Sequence, residues 1–291
     1  MEIGIVTDST CDLPSDLVEE YGIEIVPLNV HIDGETYKDR EDLSGDEFYE
    51  RQRNAENLPS TSQPSAGEFI KKYETLSSKY EKIVSIHLAD ELSGTLDSAR
   101  LAKREVSGVE IQLIDSRAAS LGIGLQVIVA AKLRKQGASF EDIINGVKKA
   151  RDNMKIYFTV GELTYLKEGG RIGSAQAFVG SILNFNPILE LTTKTGEIIP
   201  HSKIRGQTRT RKKMIDLVSA EISSSSEKVW LGMMNGQAGD VYEKFRSEIY
   251  SLAEQRSAET TVFETKLGPV IGSHVGPLVY SSVILKGDFL P

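Results

Sequence analysis

Residues 3–28 read IGIVTDSTCDLPSDLVEEYGIEIVPL, with an apolar strand pattern at each end and a helical pattern between them. Pro14 stands near the start of the predicted helix, where a residue without an amide hydrogen is tolerated, and Gly22 stands at its expected end. Two strands joined by a helix normally lie parallel in one sheet. The opening of the chain therefore predicts an α/β fold with parallel strands and helical crossovers.

Strand and helix patterns alternate along the rest of the chain. Residues 83–87 and 111–114 predict further strands of the same sheet. The second half differs, because residues 188–192 and 197–200 flank a Lys-Thr-Gly turn, which is typical of a β-hairpin. Both halves are therefore expected to be α/β, with parallel pairing mainly in the first.

A helix pattern that begins after Ser139 and ends at Asn153 marks the predicted boundary between these halves. We predict two α/β lobes, residues 1–153 with a mainly parallel sheet and residues 154–291.

The composition limits the class of protein. Among 291 residues, 42 are acidic and 34 basic, which gives a net charge of −8. A negative protein is not attracted to nucleic acids or anionic membranes. Cys11 is the only cysteine, so no intrachain disulfide can form, and a lone thiol fits a reducing compartment. The N-terminus lacks a signal-peptide pattern, and residues 118–131, an uncharged apolar run, are too short to span a bilayer. We expect a cytoplasmic protein with no stable membrane insertion and no nucleic-acid partner.

Motifs for metals and nucleotides are absent from the sequence. The histidines are scattered without ligand spacing, and one cysteine cannot build a zinc site. No Walker loop occurs, and Gly122-x-Gly124 lacks the third glycine of a dinucleotide loop. We therefore predict no metal site, no bound nucleotide and no other cofactor.

A hydroxyl-rich segment, TSQPS at residues 61–65, is the clearest indication of what the chain binds. Its polar side chains form what we predict to be a turn, and such a turn can hold an anion without a positive charge. The alternative is a helix start, because Ser65 and Glu68 match a capping box and apolar residues follow at helical spacing. Both interpretations are compatible, since Ser65 can cap the helix while Thr61 and Ser62 face a ligand.

Two other loops carry candidate binding residues. Ser93 follows a predicted strand, at the edge of a parallel sheet where ligands bind, although a capped helix start explains it equally well. Arg171 follows two glycines that permit close backbone approach, and its guanidinium suits a carboxylate or phosphate. The alternative for Arg171 is a tight turn with a solvated side chain.

The C-terminal third adds a basic run and a histidine. Cations between Lys203 and Lys213, among them Arg205, have no acidic residue between them, and they form either a solvated helix flank or a docking surface. His274 lies among glycines and prolines, which predicts a loop position. It could contact an anion or make a structural hydrogen bond.

Together these segments resemble the DegV family of bacterial fatty-acid-binding proteins. The resemblance rests on short motifs in the same order along essentially the whole chain: VTDS with DLP, TSQPS, LSGT, GGRI and GSHVGP, at residues 6–9, 12–14, 61–65, 92–95, 169–172 and 272–277. It implies one domain of two α/β lobes, about residues 3–288, with a fatty acid buried between the lobes.

Residue by residue, the resemblance implies that Thr61, Ser93 and His274 bind the fatty-acid carboxylate, with Ser62 as a weaker neighbour. It implies a carrier without catalytic activity of its own, which presents a long-chain acid of the palmitate or oleate type to a separate ATP-dependent fatty acid kinase. Arg171 and Arg205 match arginines associated with that handover.

The chain departs from the family pattern in two places. Leu278 and Asn186 stand where glycine and lysine are common, which affects the loop near His274 and any role of that lysine.

Two other functions remain as alternatives. The first is an enzyme that acts on a small anion, with His274 as general acid or base and Thr61 or Ser93 as substrate contacts. The second is a protein-interaction module that uses the basic run. A long apolar cavity would favour the carrier, whereas a short polar cleft would favour the enzyme.

Overall fold

A computed structural model describes residues 2–180, 185–223, 227–256 and 259–287. The predicted domain end at residue 288 lies outside these residues. The strands are β1 (Ile3–Asp8), β2 (Ile23–Val26), β3 (Asn29–Ile32), β4 (Glu35–Lys38), β5 (Ser60–Ser62), β6 (Lys82–His87), β7 (Glu110–Asp115), β8 (Met154–Thr159), β9 (Asn186–Leu191), β10 (Ile198–Ile204), β11 (Val229–Asn235), β12 (Thr260–Lys266) and β13 (Tyr280–Lys286). The α-helices are α1 (Ser15–Glu20), α2 (Gly45–Asn54), α3 (Ala66–Ser77), α4 (Thr95–Glu105), α5 (Leu121–Lys135), α6 (Phe140–Asp152), α7 (Thr164–Glu168), α8 (Gln207–Ser223), α9 (Asp240–Glu254) and α10 (Pro269–Val275).

The first sheet is fully parallel, in the order β2-β1-β6-β7. This confirms the strand–helix–strand prediction from residues 3–28, since α1 begins directly after Pro14 and Gly22 has a φ of +51°. The capping box predicted at Ser65 is present, with Ser65 Oγ accepting from the Glu68 amide at 3.3 Å. The helix boundaries and the parallel strands of this sheet are therefore as the sequence predicts.

The second sheet is mixed, in the order β10-β9-β8-β13-β11-β12. Its strands pair antiparallel except for β11 with β12, and the predicted hairpin is the β9–β10 pair. The first sheet ends at Asp115 and the second begins at Met154. The division of the chain into lobes at residue 153 stays a prediction.

Helix α5 joins the two sheets into one hydrophobic core. It contacts β1 and β6 of the first sheet and β11 and β13 of the second, and residues 121–131 are all buried. A Cβ atom on Gly122 would lie 2.7 Å from Ile156, and one on Gly124 would lie 2.8 Å from the Cys11 carbonyl oxygen. These glycines therefore serve close packing of α5 rather than a dinucleotide.

A third, small sheet corrects the prediction of a turn at residues 61–65. β5 pairs antiparallel with β3, which also pairs with β4, so that Thr61 lies opposite Val30. The segment is extended because it completes a sheet with residues about thirty positions earlier, and local polarity does not reveal such pairing.

A second correction concerns His274, which lies on helix α10 and not on a loop. Pro269 occupies the first turn, and Gly276 ends the helix with a φ of +74°. Proline at the start and glycine just past the end are helix boundary signals, and here they enclose a helix of seven residues.

Neither membrane spans nor metal clusters are found in the part of the chain that the structure describes. None of its helices combines the length and apolarity needed to cross a bilayer. No group of three or more histidine, cysteine or acidic residues is arranged to hold a metal ion there.

Candidate functional site

A cavity of about 400 Å³ lies between the two sheets. Loops after β6 supply Leu88 and Leu92, and the second sheet supplies Ile156, Phe158 and Met234. Most of the other wall side chains are also apolar. The volume of the cavity and its mainly apolar lining are typical of a small-molecule binding site.

The polar residues of the cavity wall include most of the predicted site. Five predicted residues and three others line it: Thr61, Ser62, Ser93, Arg171 and His274, together with Gln63, Ser120 and Ser281. Sequence reasoning had assigned no ligand contact to the latter three. Gln63 lies inside the hydroxyl-rich segment, which was a usable signal, whereas Ser120 and Ser281 carried none.

Thr61 and His274 form the centre of the polar group. Thr61 Oγ1 lies 2.8 Å from His274 Nε2, within hydrogen-bonding distance. Successive side chains of a strand point to opposite faces, so Ser62 borders the cavity while its hydroxyl is held on the other face of β5. There it lies 3.0 Å from His31 Nε2 and accepts from Asn29 Nδ2 at 3.2 Å. Thr61 is therefore the β5 hydroxyl that contacts His274.

His274 is uncharged at neutral pH. Burial, together with the smaller effect of the positive charge of Arg171, lowers the pKa of its imidazole to about 4. Its Nδ1 is buried and has no hydrogen-bond partner among the described residues. A Cβ atom on Gly169 would lie 2.4 Å from that Nδ1. Gly169 therefore permits close approach of the backbone to His274.

Arg171 connects this glycine segment to the Ser93 loop. Its Nε donates to the carbonyl oxygen of Leu92 at 3.0 Å, and its Nη1 donates to that of Gly169 at 2.7 Å. The guanidinium is thus held in the cavity wall beside Ser93 and His274. It gives this polar group its positive charge.

The Ser93 loop precedes helix α4 and lines the cavity, and the N-cap of that helix is Gly94, which has no side-chain cap. Helix α4 begins at Thr95, and Ser93 Oγ lies 2.9 Å from Thr95 Oγ1, while the loop also lines the cavity. A Cβ atom on Gly94 would lie 2.2 Å from Gln63 Oε1. The loop and the hydroxyl-rich segment therefore pack directly on each other.

Arg205 is not part of the cavity wall. It is exposed just after β10, and neighbouring basic residues make contacts of their own. Lys203 Nζ lies 4.5 Å from the centre of the Phe178 ring, and Arg211 pairs with Glu248 at 3.4 Å. Of the two predicted handover arginines, the structure thus brings only Arg171 to the cavity.

A Ser-His-Asp arrangement lies elsewhere in the core. Ser85 Oγ is 2.7 Å from His87 Nε2, and His87 Nδ1 is 3.0 Å from Asp8 Oδ2. The geometry matches a catalytic triad. However, all three residues are completely buried, Ser85 also contacts the Tyr73 hydroxyl, and none of them lines the cavity. This network therefore stabilises the first sheet and has no access to a ligand.

Comparisons with known proteins agree along nearly the full length. Residues 2–287 match the family model described as "Uncharacterised protein, DegV family". Protein DegV of Bacillus subtilis is 36% identical over 280 residues, which cover 95% of this chain and 96% of that protein.

Solved structures are similar over the same length. A structure described as fatty acid binding of a DegV family protein from Thermus thermophilus has a TM-score of 0.90 and 34% identity, and covers 99% of this chain and 100% of that one. A stearic acid-binding protein from Eubacterium ventriosum has a TM-score of 0.88 and 26% identity, with 98% of each chain covered.

Proposed function

This chain belongs to the DegV family, and we propose that it binds a long-chain fatty acid in the cavity and presents the carboxylate to a separate ATP-dependent fatty acid kinase. The observation that carries the binding step of the proposal is the joining of Thr61, His274, Arg171 and the Ser93 loop into one polar group on a mainly apolar cavity wall. Relatives from Thermus thermophilus and Eubacterium ventriosum are described as binding fatty acids.

The apolar wall supplies most of the affinity. Burying about 14 methylenes at about 0.8 kcal/mol each gives roughly 11 kcal/mol before the costs of ordering the ligand. Phe158, Met234 and Ile156 are part of the surface that receives the tail. The polar group then has the task of accommodating the carboxyl head.

The polar group offsets the cost of burying a carboxylate. Removing a lone carboxylate from water costs several kcal/mol unless hydrogen bonds and charges replace the water. Hydroxyls of Thr61 and Ser93 can donate, and Arg171 adds a charge that is already held in place. Neutral His274 can donate through one ring nitrogen.

The two arginines of the proposed handover, Arg171 and Arg205, lie in different parts of the protein. Arg171 lies in the cavity wall near the head group, whereas Arg205 is exposed and able to meet another protein. On this proposal ATP belongs to the kinase, and the binder holds no cofactor and catalyses no reaction. The low pKa of His274 is consistent with this, because a group with a pKa of about 4 is a weak general base at neutral pH.

Mass spectrometry of the purified protein after denaturation tests the binding step. We expect long-chain fatty acids to be released, or added oleate to bind to ligand-free protein. Protein that carries no fatty acid and does not bind added oleate would rule out this function.

A further inference from the structure

Helix α10, which carries His274, is held at its first turn by two carboxylates from the first 40 residues. Asp12 Oδ1 accepts from the Gly268 amide at 3.0 Å, and Asp39 Oδ1 accepts from the Val270 amide at 3.3 Å. Both aspartates are buried, at 0% and 1% exposure. They join the beginning of the chain to a helix more than two hundred residues later.

Asp12 also binds a second part of the cavity wall. Its Oδ2 accepts from Ser120 Oγ at 2.6 Å, and Ser120 lines the cavity at the start of α5. Arg40 Nη1 donates to Asp12 Oδ1 at 3.1 Å. A Cβ atom on Gly268 would lie 2.7 Å from the same Oδ1, so only glycine permits this approach.

Burying two carboxylates is an expensive way to cap the start of a helix. Burial raises the pKa of both groups, that of Asp39 to about 7. Exposed serine or asparagine caps satisfy helix amides without this cost. A helix of seven residues has little stability alone, so its position depends on contacts with its surroundings. The contacts at its first turn therefore affect where His274 stands.

We propose that Asp12 and Asp39 are positioning residues of the ligand site, which fix His274 opposite Thr61 by binding the first turn of α10. The expected effect of these aspartates on ligand affinity rests on the proposed fatty-acid site. Their effect on the position of His274 can be measured without a ligand. A head group that meets a preorganised partner binds more tightly than one that must order it.

Substitutions at Asp39 separate the charge from the hydrogen bond. Asp39→Ala removes the acceptor for the Val270 amide, whereas Asp39→Asn keeps an oxygen there. We expect oleate binding to weaken about tenfold in Asp39→Ala and less than about threefold in Asp39→Asn, as for loss and retention of a helix cap. Val218→Ala is the matched control, because it truncates a fully buried side chain in the core under α8, away from the cavity.

Proton titration of His274 by NMR, in ligand-free protein, supplies a measure that simple destabilisation does not change. We expect the His274 pKa to rise from about 4 toward its ordinary value in Asp39→Ala, because a displaced α10 admits water. His201, on β10, serves as the internal reference. Gly268→Ala, which displaces the Asp12 carboxylate, should shift His274 in the same direction, and it replaces Asp39→Ala if that variant does not fold. Val218→Ala should leave His274 unchanged.

Three results would overturn the inference. An unchanged pKa of His274 in both Asp39→Ala and Gly268→Ala would show that the aspartates do not position it, even if oleate affinity falls. A shifted His274 with unchanged oleate affinity would show that this position does not serve the ligand. Equal loss of affinity in Val218→Ala would show a general stability effect. If wild-type protein fails to bind oleate, the proposed function fails, while the His274 titration still decides the positioning role.

Discussion

His274 and Asp39 titrate with opposite effects on stability. Between its ordinary pKa of 6.5 and about 4, the imidazole of His274 is protonated in the unfolded chain but not in the folded protein, so acid destabilises the fold. In the folded protein, Asp39 stays protonated up to its pKa of about 7. In the unfolded chain, the same carboxyl group loses its proton at its ordinary pKa of 3.8. Its contribution to stability is therefore lost as the pH rises from about 4 to 7. The two effects partly cancel below pH 6.5.

Single substitutions should expose each effect. Relative to wild type, His274→Gln should gain stability as the pH falls from 7 to 4.5, because the variant has no imidazole to protonate. Asp39→Asn should gain relative stability as the pH rises from 4.5 to 7.5. Urea unfolding at these pH values measures both differences, and a pH-independent difference for His274→Gln would mean that the imidazole is not buried in its neutral form.

Thr61 and Ser93 are expected to account for head-group binding together. A double substitution, Thr61→Ala with Ser93→Ala, should weaken oleate binding by about 10-fold or more, since each lost hydrogen bond contributes about 1 kcal/mol. Ser60→Ala is the control, because Ser60 is an exposed hydroxyl on the same strand outside the cavity wall. Wild-type affinity in the double variant would remove both residues from the site.

Helices and strands show how far local patterns determine the fold. The capping box at Ser65 and the hairpin of β9 and β10 were correctly predicted, because short-range geometry determines them. β5 was wrongly predicted as a turn, since its extended shape depends on pairing with β3. α10 was wrongly predicted as a loop, although Pro269 and Gly276 bounded it, because its length of seven residues leaves little helical periodicity to detect.

The Ser93 loop and the hydroxyl-rich segment pack on each other where Gly94 meets Gln63, and a substitution at Gly94 tests this contact. Gly94→Ala places a methyl group where Gln63 Oε1 stands, 2.2 Å from the new Cβ, so Gln63 must move and we expect oleate affinity to fall several-fold. Gly67→Ala in α3 is the matched control, because its nearest neighbour is 3.8 Å away. Alanine should stabilise that helix by about 0.5–1 kcal/mol without changing affinity. Unchanged affinity in Gly94→Ala would show that Gln63 does not shape the site.

The whole molecule brings together residues that the sequence separates widely. Thr61 and His274 are 213 positions apart and meet because β5 and α10 flank one cavity between the sheets. Periodicity and capping signals carry no information about such distances, so sequence patterns alone left the site as separate candidates. The family resemblance joined them. Asp12 and Asp39 were not predicted, because a carboxylate that binds a distant backbone amide leaves no local pattern.

The proposed handover to a kinase would involve the outer surface of the protein, where Arg205 is exposed. Arg205→Ala should leave oleate affinity unchanged, since Arg205 does not line the cavity, and should slow acyl phosphate formation with a cognate kinase. Lys148→Ala removes an exposed cation on α6 and serves as the control. An unchanged rate in Arg205→Ala would exclude its role in the handover.

A crystal structure of the protein with oleate would show directly whether the cavity is a fatty-acid site. We expect one fatty acid in the cavity, with its carboxylate within hydrogen-bonding distance of Thr61 Oγ1 and the Ser93 hydroxyl, next to His274, and its tail against Phe158 and Met234. A cavity that stays empty at saturating oleate, or a ligand with its carboxylate away from Thr61 and Ser93, would contradict this expectation.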